Sequence, residues 1–249
     1  AVPMNETTIA IGRDRLMRIQ QACECRVGIE NLAFSGNIDE MMYHGEFLDK
    51  LLEPIDGFIL LDIHNIYCQM LNFDLSFEEI IKLYPLHRVR EIHLSGGSWD
   101  IVSSQKKIRR DTHDNAVPIE IFELLDKAIV NCPNLKFVTL EQMDYALESP
   151  DQQDIFRNDY QRIIDSIRGK TSHSKEFVNP KISLNETPIE DKALYEAQLS
   201  FSDLLENSEN IENLLTDISQ NNSLYNPLNI NSWNKDMLET AMQIAQKWK

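Results

Sequence analysis

Basic residues are the minority here: 24 lysines and arginines face 40 aspartates and glutamates over 249 residues, a formal charge of −16. Neutralising phosphates takes a basic face, so the deficit argues against a general nucleic-acid binder, while metal ions and other cationic partners suit it. No run approaches the roughly 18 apolar residues of a membrane span, and no charged-then-apolar secretory pattern opens the chain. The expectation is a soluble, cytoplasmic protein that meets no membrane. The four cysteines, Cys23, Cys25, Cys68 and Cys132, are too scattered for a disulfide framework, and no Cys-x-x-Cys pair marks structural zinc. They read as reduced packing residues. Gly96-Gly97 lacks the spacing of a nucleotide fingerprint and reads as a sharp turn. The first residue is Ala1 rather than Met, which reads as a processed or truncated product.

What is present supports a folded core, since 42% of the residues are hydrophobic. Residues 6–24 carry Ile9, Leu16, Ile19 and Ala22 at near-helical spacing, and the apolar run at Val27–Ile29 reads as a buried strand ending at Glu30. "EFLDKLLEP" (46–54) predicts a short helix closed by Pro54, and "GFILLDIHN" a second strand with Asp62 at its end. "SFEEIIKLYP" (76–85) has Ser76 and Glu79 at capping-box spacing. "VREIHLSGG" then delivers His93, residues 117–133 read as a helix with Pro118 near its start, and "LKFVTLEQM" ends its run at Glu141. Glu30 and Asp62 lie 32 positions apart, and Asp62 and His93 lie 31 apart, the length of one βαβ unit of about 30 residues. The pattern predicts an α/β fold with a parallel sheet. The 48 positions from His93 to Glu141 leave room for an excursion, a long loop or extra strand, that holds "RRDTHD".

From about residue 170 the periodicity lapses into a linker, followed by helical stretches expected at 190–206, 209–219 and 234–248 with Trp233 and Trp248 as packing anchors. The domain reading is therefore residues 1–169 as a metal-binding α/β domain and residues 170–249 as linker and helical appendage.

A parallel βα sheet places its chemistry at the carboxyl ends of its strands. Here those ends are Glu30, Asp62, His93 and Glu141, all donors that suit iron, manganese or zinc. A lone strand-end acid is more often a helix cap, but four in register with the βα period outweigh that reading. If strand alternation continues, His64 shares the side of Asp62, and either His64 or Asn65 can reach a metal, with His64 otherwise a residue that supports the ligands from behind. If "DTH" is extended, Asp111 and His113 point the same way, while Asp114 points elsewhere, as a carboxylate that orients a ligand histidine. His44 and His87 read as packing or surface residues, with His44 able to border the site, and His173 falls in the linker without a role.

Together, "IENLAF", "FILLDIHNIYCQMLN", "RVREIHLSGG", "RRDTHDNAVPIEIFELLDKAI" and "FVTLEQMD" resemble the multinuclear non-heme iron-dependent oxidases, the DUF692 family, which includes the iron enzyme of methanobactin biosynthesis. The resemblance runs through roughly residues 1–147. It implies a TIM-barrel enzyme holding two or three irons, ferrous and ferric, that acts with a small partner protein on ribosomally made precursor peptides and uses O2 to modify residues, often cysteine. By motif, the metal ligands it implies are Glu30, Asp62, Asn65, His93, Asp111, His113 and Glu141. Two departures stand out. The family's leading βα units have no counterpart before Ala1, so the expected barrel is partial, and Phe73 follows Asn72 where many members carry histidine.

Three functions fit these residues. The first is the peptide-modifying iron oxidase, with Arg109 and Arg110 either meeting an acidic peptide or forming surface salt bridges. The second is a divalent-metal isomerase or phosphoesterase on a related barrel, with Mn or Zn in place of iron. The third is a non-catalytic fragment of a split enzyme that binds a partner through its acidic tail.

Overall fold

The computed structural model describes residues 2–170 and 180–247. His173 and Trp248, both singled out in the sequence, lie outside the described residues. Helix α1 (Glu6–Cys23) starts at an Asn5 cap reciprocated by Thr8, and leads into strand β1 (Gly28–Glu30). Helix α2 (Ile38–Leu52) is longer than its apolar stripe predicts. The extension begins at Asn37, whose side chain caps Glu40 N–H, and Asp39 and Glu40 fill a first turn that favours acids. Strand β2 (Phe58–Asp62) passes directly into helix α3 (Ile63–Phe73), and helix α4 (Phe77–Ile81) carries the expected Ser76/Glu79 capping box. Strand β3 (Val89–Ser95) follows, then β4 (Trp99–Ile101) and β5 (Lys107–Arg109), an antiparallel pair that forms the excursion predicted after His93. Helix α5 (Ile119–Asn131), strand β6 (Phe137–Glu141) and helix α6 (Pro150–Ile167) complete this part.

Strands β1, β2, β3 and β6 form one parallel sheet in that order. The chain is therefore α/β with a four-stranded parallel sheet; within the described residues that sheet is open, with β1 and β6 at its edges. Its two faces differ sharply. Ile59, Leu61, Ile92 and Leu94 are fully buried under a helical layer that contributes Leu52, Ile80, Ile121 and Leu125. Each such side chain contributes about 1.5–3 kcal/mol by leaving water. On the opposite face the register aligns Glu30 with Leu60, Glu91 and Phe137, then Asp62 with His93 and Thr139, then Ser95 with Glu141. Phe137 on that face is 61% exposed.

Helices α7 (Lys192–Asn207), α8 (Ile211–Gln220), α9 (Asn222–Tyr225) and α10 (Lys235–Lys247) build a second apolar cluster around Phe201, Leu214 and Ile230. They are clamped to the loops at the carboxyl end of the sheet. Trp233 Nε1 donates to Glu40 Oε1 at 2.8 Å, and Ser103 donates through N and Oγ to the two Glu239 oxygens at 2.8 and 2.6 Å. The Trp233 indole lies so close over Gly36 that a Cβ there would come within 2.3 Å of the ring. Trp233 is thus an anchor, as its sequence position predicted. No described helix is long and apolar enough to cross a membrane.

Candidate metal centre

Asp62 stands at the centre of the site because the β2–α3 junction makes it both the last strand residue and the helix cap. Its Oδ1 accepts Asn65 N–H at 2.6 Å, while its own backbone N–H and C=O are gripped by the Asn31 side chain at 2.7 and 3.0 Å. Its other oxygen, Oδ2, is buried without a hydrogen-bond partner. Two triads converge there: Glu30, Asp62 and His93 in one, Asp62, His113 and Glu141 in the other. Within each triad, one donor atom per residue lies within 4.8 Å of the rest.

The surrounding residues aim these donors. His93 Nε2 pairs with Glu91 Oε1 at 3.0 Å, which is itself held by Thr139 Oγ1 at 2.9 Å, so Nδ1 turns toward the triad. His93 Nδ1 lies 2.8 Å from Glu141 Oε1, yet off the direction a ring N–H requires, and is left without a directed hydrogen bond. Asn65 Nδ2 donates to Glu30 Oε1 at 3.1 Å and to Asn31 C=O at 2.8 Å, whereas its buried Oδ1 has no partner. Asp62 Oδ2 and His93 Nδ1, both belonging to residues of the first triad, are thus buried without a directed hydrogen bond. Buried polar atoms without a directed hydrogen bond are costly, and a cation between them satisfies both.

Electrostatics point the same way. Burial, reinforced by Asp111, Glu30 and Glu141, pushes the Asp62 carboxyl well above the usual carboxylate range. Burial and Glu141 raise Glu30 likewise. Asp111 moves down instead, because hydrogen bonds from His113 and His64 outweigh its desolvation. Against the effect of burial, Glu141 and Glu91 lift His93 to about 9. This is a like-charge cluster short of cations, with the oxygen and imidazole donors that iron, manganese and zinc accept.

"RRDTHD" is built differently from its extended reading. His113 has φ of 55°, in the left-handed region, where a non-glycine residue costs on the order of 1 kcal/mol or more and marks functional sites. Its C=O accepts Met143 N–H at 2.9 Å, tying this loop to the one after β6. The turn still joins the pair, with His113 Nε2 2.9 Å from Asp111 Oδ1, while His113 Nδ1 stands 3.6 Å from Glu141 Oε2. Asp114 supports no histidine: it accepts from Thr112 Oγ1 at 2.5 Å and Asn115 Nδ2 at 3.0 Å.

Support for Asp111 comes from His64, the second of the two roles its position suggested, and it gets there from the first turn of α3, which begins at Ile63, rather than by strand alternation. Arg109 donates to His64 Nε2 through Nε and Nη2 at 3.2 and 3.1 Å. A guanidinium only donates, so Nε2 is the bare nitrogen and the proton sits on Nδ1, which donates to Asp111 Oδ1 at 2.9 Å. Both nitrogens of His64 are thereby engaged, and Ser95 Oγ adds a third bond to Asp111 at 3.0 Å. Arg109 is 7% exposed, stacked on Tyr67 and Trp99, with its backbone fixed by Asn72. Arg110 pairs with Asp100 at 2.6 Å. Both arginines are thus engaged within the chain. Gly96-Gly97 serves close approach rather than a left-handed turn: a Cβ on Gly97 would stand 2.1 Å from Arg110 O and 2.6 Å from His64 Cε1. His44 is buried against Tyr84 OH at 3.1 Å, and His87 is exposed.

Sequence reasoning passed over Glu91, Ser95 and Asn31. Glu91 and Ser95 were findable, since each stands two positions from His93 and shares its face of β3.

Residues 1–154 match the family model described as RiPP precursor modification enzyme MbnB/TglH/ChrH. The chain belongs to that family. Among curated relatives, a UPF0276 protein of Acinetobacter baylyi is 28% identical over 131 residues, covering 53% of this chain and 44% of that protein. One from Shewanella loihica is 26% identical over 144 residues, covering 58% and 50%. One from Neisseria meningitidis serogroup C is 30% identical over 144 residues, covering 57% and 50%. The chain spans about half the length of the curated relatives it matches.

Proposed function

We propose that this chain is an iron-dependent oxidase that uses O2 to modify residues of a ribosomally made precursor peptide, with cysteine as the principal target. In this reading Glu30, Asp62 and His93 hold one ion, Asp62, His113 and Glu141 hold a second, and Asn65 completes the first through Oδ1. The sheet belongs to a TIM-type barrel, and a small partner protein helps present the peptide. The observation that carries the reading is the convergence of two triads on Asp62, whose buried Oδ2 has no hydrogen-bond partner. Bound iron would supply the electron-transfer chemistry and the open positions for O2 and a thiolate.

The chain's own residues orient and restrain. Asp62 is fixed by its own helix cap and by Asn31, so its free oxygen is aimed without loss of side-chain entropy at binding. Glu91 fixes the ring of His93, and Asp111 fixes that of His113; partners of this kind commonly change metal affinity 10–100-fold. His64, buttressed by Arg109, keeps Asp111 from swinging into the cluster unless its hydrogen bonds are exchanged.

Purification without oxygen, followed by iron loading and O2 uptake with a cysteine-containing precursor peptide, tests this reading. Peptide-dependent O2 consumption and a mass change in the peptide are expected. Zinc-dependent hydrolysis of a phosphodiester without O2 uptake would overturn it in favour of a hydrolytic metal enzyme, and failure to take up metal would favour a non-catalytic partner-binding role.

A further inference from the structure

Arg109 reaches His64 from the β4–β5 hairpin, and that hairpin is too small to fix it alone. Each strand has three residues, and an isolated two-stranded hairpin is marginal in water. It is supported from two sides. On one, Asn72 of α3 holds both backbone groups of Arg109, donating from Nδ2 to its C=O at 3.0 Å and accepting its N–H at Oδ1 at 2.8 Å. On the other, α10 meets the hairpin and its turn. Met237 is buried with Val102 and Ile108, and Ser104 Oγ donates to Asp236 Oδ1 at 2.8 Å. Ser103 donates to both Glu239 oxygens, from N to Oε1 at 2.8 Å and from Oγ to Oε2 at 2.6 Å.

Glu239 is the unexpected member of this contact. It is 7% exposed, and burying a carboxylate is costly unless it is well hydrogen-bonded. Its neighbour in the chain, Leu238, packs into the helical cluster, whereas both Glu239 oxygens are given to the hairpin. What the buried charge secures is therefore the position of the turn. From the turn the next links are already rigid. Arg109 pairs across the hairpin with Trp99, donates to His64 Nε2, and His64 Nδ1 donates to Asp111 Oδ1, which lies 2.9 Å from His113 Nε2. A continuous path of hydrogen bonds and packed backbone thus runs from α10 to a ligand of the second triad. The residues of the first triad other than the shared Asp62, Glu30 and His93, are not on it. Helix α10 also lies beyond residue 154, where the family match ends.

Resting on the oxidase reading, we propose that Glu239 is a positioning residue for the second metal position. By holding Ser103 it sets the hairpin so that Arg109 keeps the His64 ring in one tautomer and His64 keeps Asp111 against His113. The helices of residues 192–247 thereby act on the metal centre from outside it, as a brace.

The test pairs metal binding with a readout that needs no metal. Ferrous iron titrated calorimetrically without oxygen should bind about fivefold more weakly at one of two positions in Glu239→Leu, the size of effect that residues along such paths carry. Glu239→Gln should stay near wild type, because its amide oxygen accepts Ser103 N–H and its amide N–H donates to Ser103 Oγ. Ser103→Ala, which leaves α10 intact, should show a smaller loss at the same position. Glu239→Leu combined with Arg109→Gln should bind iron no more weakly than Arg109→Gln alone. In the nitrogen NMR spectrum of the metal-free chain, His64 should show a bare Nε2 and a protonated Nδ1 in wild type and an averaged pair in Glu239→Leu. Undiminished affinity in both Glu239→Leu and Ser103→Ala overturns the proposal. Additive losses in the double variant, a loss in Glu239→Gln as large as in Glu239→Leu, or an unchanged His64 tautomer do so as well. A wild-type chain that takes up no iron is a different failure, that of the oxidase reading, and the metal-free spectrum then decides the brace by itself.

Discussion

Replacing Asp62 with Asn should stabilise the metal-free protein and abolish its response to metal. Asp62 shares one triad with Glu30 and the other with Glu141, with donor atoms no more than 4.8 Å apart. At an effective dielectric of about 20, two unit charges at that separation repel by roughly 3 kcal/mol. His93 and His113 offset part of this, which leaves a net gain of about 1–3 kcal/mol for the neutral amide. The sign follows from the raised Asp62 carboxyl. A group that holds its proton more tightly when folded favours folding at low pH, and that contribution is lost as pH rises from the ordinary carboxylate range through the raised value, so the penalty grows with pH over that span and the gain from Asp62→Asn grows with it. Asn keeps an acceptor for Asn65 N–H, so the cap of α3 survives. For a chain of this size the melting temperature should rise by about 2–4 °C per kcal/mol. Thermal melts after chelation, repeated with ferrous iron in the absence of oxygen, give both readings: Asp62→Asn melts above wild type without metal, and wild type alone gains on metal addition. A metal-free variant that melts below wild type, or one that gains as much from iron, would refute the reasoning.

Three further outcomes are expected. His44 is 2% exposed and its ring titrates near 4 rather than 6.5, so the unfolded chain binds the proton first; stability should fall by up to about 3 kcal/mol as pH drops from about 6.5 to 4. His44→Gln should flatten that part of the pH–stability profile, and an unchanged profile would contradict the assignment. Arg109→Gln removes the charged donor that fixes the tautomer of His64 and should weaken metal binding about tenfold, with partial recovery in Arg109→Lys; equal affinity in all three proteins would show that the Arg109–His64–Asp111 chain does not position the site. Gly97→Ala drives a Cβ against Arg110 O and His64 and should empty the second triad while helical circular dichroism is kept, whereas full metal occupancy would show that the loop relaxes freely.

The sheet was legible because apolar runs recur at one βαβ length and each ends in a polar donor; β1, β2, β3 and β6 all lie where those runs stand. Capping chemistry carried further information that was only partly read. Ser76/Glu79 marked α4, but Ser149, Pro150 and Gln152 announce α6 just as clearly, and that helix was overlooked because its stripe is weakly apolar. The strand-end residues Glu30, Asp62, His93 and Glu141 do come together, since register carries them to one face. The supporting shell was legible only in part, His64 being one candidate for it, for a physical reason: its geometry depends on where a strand gives way to a helix and on left-handed backbone, both set by tertiary packing. Asp62 caps α3 one residue earlier than alternation assumes, which removes His64 from the strand and sends it to Asp111. His113 in the left-handed region likewise turns "DTHD" so that Asp114 faces Thr112 rather than a histidine. Arg109 read either as a contact for an acidic peptide or as a surface salt bridge, and the rings of Tyr67 and Trp99 with the acceptor on His64 account for its burial.

The central claim is that Asp62 joins two metal positions. Ferrous iron titrated without oxygen into the chelated chain, followed by calorimetry and by the absorption that develops on oxidation, tests it most directly. The two triads call for two bound ions per chain, with His113→Ala retaining one and Asp62→Asn retaining none. A single ion that survives Asp62→Asn, or no saturable binding at all, would contradict it.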